Sequence, residues 1–369
     1  HAKYRILFNA DGKQYIYTNA YTVIQVATNV VKIVLILLGQ NIVLIQLGHL
    51  ILLLLMAFYI EGYVKKHYPW LDLRVAPDKQ AISQKNNVIV HELSQMIFNH
   101  TDVLLLTFFV DLKAVSVYVT YNMIVDIIST LISNVHNGFL FRLGQLFNVD
   151  KERYRQVYDT YETGYMLLSS VLYCVTFLFL TPFMTLYTKG VTDANYLDKW
   201  LPLLFVAIKL LVTGRAVAGN TISFAQHFKQ TQWRAILEMG INLVTSVVGV
   251  IFFGIYGVLF GTLAALLYRA NDMIIYANRR VMGQSSRRTY LRWVVDLGTF
   301  ALAVFLSRFL PVASGGYLEL IWKAAVYTAA VSLLYFLSNS IFFPQQMKAI
   351  LQHVGRLLKK RMKRKEPST

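Results

Sequence analysis

Four polar residues recur at i, i+3, i+7 and i+10 in the stretch HELSQMIFNHTDVLLLTFF: Glu92, Gln95, Asn99 and Asp102. On a helix that spacing puts all four on one face. The two carboxylates stand in apolar surroundings, as does Asp126 in the next run, VSVYVTYNMIVDIIS. A carboxylate inside hydrocarbon is costly, so it is kept where it binds a polar group, takes up a coupling cation or proton, or is paired. Gln25, Asn29 and Lys32 make a second stripe at i, i+4, i+7. A third face carries Lys209, Thr213 and Asn220, with Arg215 turned about 120° away from it. Glu238 and Asn242 are one turn apart, and Arg269 and Asp272, at i and i+3, are spaced for an ion pair.

The elements that must hold these residues follow from composition. The 369 residues are 56% hydrophobic and only 15% charged, with a mean hydropathy of +0.47. That leaves too little polar surface to cover a soluble domain, and the fold class is an all-α polytopic membrane protein. Ten stretches approach the ~20 residues that cross a bilayer as helix: residues 16–38, 42–64, 88–110, 114–138, 163–188, 199–225, 232–253, 256–278, 290–310 and 318–342. The split between the seventh and eighth rests on the turn-like GIYG. Lys32, Lys209, Arg215 and Arg269 lie within spans, and exposing all four to lipid would cost about 10–14 kcal/mol. They therefore face a polar interior, either touching a substrate or pairing with acids; Lys32 or Lys209 could pair with Glu92 or Asp102 across helices. Gly254, Gly257 and Gly261, and Gly214, Ala218 and Gly219, permit close helix approach.

The net charge is +17, but its distribution speaks against nucleic acid. One set of alternate loops, with both ends of the chain, holds 27 Lys and Arg, and the opposite set holds three. That excess places both ends in the cytoplasm. The outer loops are short except TKGVTDANYLD, which leaves no room for an outer catalytic domain. The tail LLKKRMKRKEPST reads as a topogenic anchor, with contact to anionic lipid as the alternative. A lone cysteine, Cys174, excludes an internal disulfide. No phosphate-binding glycine loop, metal-ligand spacing or GxSxG occurs. His49, His91, His100 and His136 read as satisfied core residues. Because the chain opens on a polar stretch from His1, a segment preceding it is expected.

The pair of runs HELSQMIFNHTDVLLLTFF and VSVYVTYNMIVDIIS, the polar entry YRILFNADGKQYIYTN and the segment LFNVDKERYRQVYDTYE together resemble bacterial polysaccharide-unit flippases of the Wzx type. These belong to the multidrug/oligosaccharidyl-lipid/polysaccharide exporter superfamily. The resemblance covers most of the chain as a pattern, with no single invariant motif. It implies a two-lobe exporter-type helical bundle lacking its first four helices. On that map residues 1–64 are a remnant of the first lobe, 65–87 a cytoplasmic linker, 88–280 a second lobe of six helices, 281–345 two additional helices and 346–369 a basic cytoplasmic tail. The implied activity is transport: flipping of a polyprenyl-pyrophosphate-linked oligosaccharide across the bacterial cytoplasmic membrane by alternating access, without a cofactor. Membrane lipid and the lipid-linked substrate are the implied partners, with a polysaccharide polymerase and assembly proteins as further candidates. Residue type and depth, not a family motif, make Lys32, Lys209 and Arg215 candidates for the phosphates. Glu92 and Asp102 are candidates for sugar hydroxyls, and Asn99, Asn29 and Asn220 for substrate contact of unspecified kind. Glu92, Asp102, Asp126 and Glu238 are candidates for a coupling H⁺ or Na⁺. The rival readings are a small-molecule cation antiporter of the same superfamily and an integral-membrane polysaccharide polymerase or ligase.

Overall fold

The computed structural model describes residues 2–71, 85–309 and 315–363, and every regular element among them is helical. The chain divides into two units, His1–Ala81 and Ile82–Thr369. The division falls within the expected linker 65–87. Residues 72–84 of that linker and 364–369 of the basic tail lie outside the described residues.

The first unit comprises α1 (Ala2–Ala10), α2 (Gln14–Leu37) and α3 (Ile42–His67). Its small core gathers Phe8, Ile16, Met56, Ile60 and Val64. The turn between α1 and α2 reaches the end of α3, because Tyr68 Oη donates to Asp11 Oδ2 at 2.7 Å. Asn41 starts α3 by accepting from the Leu44 amide at 3.0 Å, one of the orphan donors of a helix N-terminus.

The second unit runs through α4 (Lys85–Phe109), α5 (Leu112–Val149), α6 (Lys151–Tyr187), α7 (Leu201–Gly214), α8 (Ala216–Phe224), α9 (Phe228–Phe253) and α10 (Ile255–Ile275). A π-helical turn, Tyr276–Val281, extends α10 and is followed by α11 (Arg287–Ser307), α12 (Tyr317–Phe342) and α13 (Pro344–Lys363). The hairpin of α9 and α10 turns at Gly254, whose φ of +55° suits glycine. Its helices approach so closely that a Cβ on Gly257 would overlap the Gly249 carbonyl, and one on Gly261 would overlap Ser246. The expected small-residue spacing thus has a definite use. Helices α11 and α12 pack on α6 through Val171, Cys174, Ala303, Val331 and Tyr335.

Nine helical segments among the described residues are long and apolar enough to cross a membrane, with α7 and α8 counted as one. Each of the ten expected spans falls on helix among the described residues. The tenth, α4, has 25 residues but is diluted by His91, Glu92, Gln95, Asn99, His100 and Asp102. Large apolar side chains face outward throughout, among them Leu318, Phe108 and Phe252. Such a surface needs lipid as its solvent, and the protein is an all-α multi-pass membrane protein.

Two local features depart from expectation. The connection after residue 138 is a continuation of helix instead of a loop: α5 has 38 residues and α6 37, with only Asp150 between them. At 1.5 Å per residue each is about 56 Å long, beyond the ~30 Å hydrocarbon core. Asp150 starts α6 by accepting from the Arg153 amide at 2.9 Å. The extensions hold because Phe147, Tyr154 and Tyr158 are buried, with Phe147 and Tyr154 packing on Phe224 of α8. The sixth span is also broken at Arg215, between α7 and α8.

Candidate functional site in the membrane spans of the second unit

Asp102 is buried where α4 meets α5 and α10. Tyr118 Oη donates to it at 2.8 Å and the Thr262 hydroxyl at 3.0 Å. Asn242 of α9 donates in turn to Thr262 at 2.9 Å. The carboxylate is thus held by neutral donors. The stripe it shares with Glu92 is graded: Gln95 donates to Asn99 at 3.2 Å, and Asn99 and Glu92 are exposed. One helix face therefore carries a buried acid at one end and an exposed acid at the other.

A second cluster is a chain of five charges. Glu238 of α9 receives Arg215 on one oxygen, and its other lies 3.2 Å from Arg269 Nε. Arg269 reaches Asp272 at 2.8 Å, the i, i+3 pair expected from sequence, and Arg234 binds the other oxygen of Asp272. The Arg234 guanidinium also lies over the Tyr276 ring, 4.8 Å from its centroid. Arg215, Glu238 and Arg269 are each less than 9% exposed. Three guanidinium groups for two carboxylates give the chain one net positive charge, and it joins the α7–α8 break to α9 and α10. Arg215 is therefore engaged by Glu238, and a phosphate would have to compete for it. A cavity of about 60 Å³ lined by His91, Ser94, Gln95, Glu238 and Arg269 lies against the chain.

The third cluster is open on one side. Lys209 Nζ lies 2.6 Å from Asp126 Oδ1, and Asn122 donates to the other carboxylate oxygen at 2.7 Å. Lys209 thus pairs with Asp126, not with Glu92 or Asp102, because α7 lies beside α5 at this level. Asn220 hydrogen-bonds with His136 Nε2, whose Nδ1 meets Tyr161 Oη at 2.7 Å. Asn122, Asp126, Thr130, Ser133, Asn134 and Asn137 occupy an arc of about 120° on α5, and Thr130, Ser133, Asn134 and Asn137 are exposed. Of this arc only Asp126 is named from sequence, although Asn122, Asp126 and Thr130 share the i, i+4, i+8 spacing of one helix face. Asn29 is exposed and Lys32 half-buried on α2, in the first unit.

Two further buried acids escaped the sequence reading. Arg292 binds Glu162 and lies 3.0 Å from Asp159, which also meets Arg288 at 2.6 Å. Glu162 and Arg292 are almost inaccessible. Asp296 accepts from Asn339 at 3.1 Å and from Ser170 at 3.4 Å, tying α11 to α12 and α6. It is a carboxylate inside an expected span, so its signal was present. Among the described residues no group of three His, Cys, Asp or Glu is placed to hold a metal ion. No protein-family model matches the chain, and no curated protein matches it significantly.

Proposed function

We propose that the chain flips polyprenyl-pyrophosphate-linked oligosaccharide repeat units across the bacterial cytoplasmic membrane by alternating access, for surface polysaccharide assembly. The observation that carries this reading is the polar face of α5. From Asn122 to Asn137 it extends about 22 Å, most of the hydrocarbon thickness. Amide and hydroxyl side chains of that kind hydrogen-bond sugar hydroxyls as both donors and acceptors. A polar track through apolar spans requires water, protein or a polar substrate against it, not lipid. The oligosaccharide follows the track while its polyprenyl tail stays in the bilayer.

Lys209 stands beside this face with Asp126 as an internal counter-ion. An entering pyrophosphate would offer it a doubly charged competitor. Asp102, held by hydroxyls, is the acid best suited to take up a coupling proton or Na⁺, whereas Asp126 and Glu238 are matched by cations. The excess of Lys and Arg in alternate loops supports cytoplasmic placement of both ends.

The test is restoration of surface polysaccharide in a strain lacking its own flippase. Expression should restore it, and Asn122→Leu combined with Thr130→Leu and Asn137→Leu should reduce it at equal protein level. Lys209→Ala and Asp102→Ala should do so as well. Failure of the unmutated gene across several repeat-unit backgrounds, with drug resistance gained instead, would replace this reading by the cation antiporter.

A further inference from the structure

We propose that the lateral groove between α7, α10 and α11 is a binding site for one anionic glycerophospholipid. The groove has a volume of about 430 Å³, within the ~300–1,000 Å³ typical of small-molecule sites. Its walls are aliphatic and aromatic, including Leu203, Leu210, Leu263, Leu267, Ile274 and Phe300. Gly214 lets the groove close on one side, since a Cβ there would overlap the Trp293 indole.

The polarity is confined to one end. Asn271 and Tyr290 line the groove there and bond to each other, with Tyr290 Oη donating to Asn271 Oδ1 at 2.7 Å. They sit near the turn joining α10 to α11, where the chain reads NRRVMGQSSRR. Arg287 opens α11 one turn before Tyr290, and Arg279, Arg280 and Arg287 on this turn are exposed. Among the described residues, the ion pairs that occupy Arg215, Arg234, Arg269 and Arg292 do not include the Arg279 guanidinium. An apolar slot ending in a hydroxyl and an amide, with exposed arginines on the adjoining turn, complements an acyl chain with a phosphate at its head. A zwitterionic lipid would bring its own cation to that cluster and gain less. The slot faces outward between spans, and the inference stands independently of what the α5 face transports.

Native mass spectrometry of the purified chain tests this with phosphatidylglycerol, phosphatidylcholine and undecaprenyl phosphate supplied at equal concentration. One phosphatidylglycerol should be retained in preference to phosphatidylcholine. Leu267→Trp, which fills the slot, should abolish the adduct, and Arg279→Gln, at the exposed head site, should weaken it roughly fivefold. Leu318→Trp, on α12 away from the groove, should leave it intact. Equal retention of the two phospholipids, retention of undecaprenyl phosphate alone, or adducts unchanged by Arg279→Gln would overturn the proposal. If Leu267→Trp does not fold, the Arg279→Gln comparison decides alone.

Discussion

Lys209 Nζ lies 2.6 Å from Asp126 Oδ1, joining α7 to α5 with side chains that are 17% and 47% exposed. The pair is neither fully buried nor fully solvated, so its worth lies between the ~0–1 kcal/mol of surface pairs and the ~3–5 kcal/mol lost on breaking buried ones. Lys209→Met alone leaves Asp126 with Asn122 as its remaining polar partner; Asp126→Leu alone leaves the Lys209 ammonium without its acid. We expect each single change to destabilise, and the double variant to recover part of the loss, with a coupling of about 1–2 kcal/mol. Thermal melting of the four proteins in detergent measures it. Additive losses would show that the two charges act separately.

Glu238 presents a harsher case because it faces two guanidinium groups, Arg215 and Arg269. Glu238→Gln keeps the shape and removes the charge, raising the excess of the five-charge chain from one to two. The cost expected is about 3–5 kcal/mol. Arg215→Met in the same background should return part of it, since one unmatched cation is then gone. A lower melting temperature for Glu238→Gln, partly rescued in the double variant, is the expected result; a melting temperature equal to that of the parent would contradict it.

What sequence disclosed and what it withheld divide along the same physical line. Span length and the Gly254 turn are local properties, and Arg269–Asp272 lies within one helix, so spacing alone found them. The partner of Lys209 depends on which helix stands beside α7, and helical periodicity assigns a face without assigning a neighbour. Glu162 and Arg292 are 130 residues apart, one just before the 163–188 span and the other at the edge of the 290–310 span, where a charge reads as lying beside a loop. Their burial comes from α11 lying against α6. The extension of α5 and α6 is hidden for the same reason, because Phe147 and Tyr154 pack on each other and on Phe224 of α8, a helix distant in sequence.

The α9–α10 hairpin depends on glycine for a steric reason that can be tested directly. A methyl group at Gly257 has nowhere to go, because its neighbour is the Gly249 backbone, not the end of a flexible side chain. Gly257→Ala should force the helices apart and cost at least about 1–3 kcal/mol, the usual range for overpacking. Gly240→Ala, on α9 of the same hairpin with open space around its Cβ, should be neutral or slightly stabilising. Comparable melting temperatures for the two variants would refute the close approach.

In the first unit, acid should loosen the turn between α1 and α2. The Lys13 ammonium, then the Tyr68 hydroxyl, hold the Asp11 carboxyl below its ordinary pKa of 3.8. A depressed carboxylate stabilises the folded state above the ordinary value, and the contribution disappears as pH falls through the lowered one. Because Asp11 is exposed, the effect is small and screened by salt. Protection of the α1 amides against exchange, corrected for intrinsic rates, should fall across that acid window. Tyr68→Phe should shrink the fall, and an identical pH profile in both proteins would exclude the contact as its cause.

Orientation can be read chemically because the chain has one native thiol, and Cys174 is buried. Val149, 86% exposed at the end of α5, belongs to the lysine- and arginine-rich set of connections. Asp193 is exposed in the segment between α6 and α7, which carries few cations. If the charge excess orients the chain as it does in other multi-pass proteins, a membrane-impermeant maleimide should label Asp193→Cys in intact cells and Val149→Cys only after permeabilisation. The parent should stay unlabelled in both conditions, which makes it the internal blank. The reverse pattern would place both ends outside and turn the α5 face upside down. It would leave the fold intact while removing the cytoplasmic entry route that flipping of a lipid-linked precursor requires.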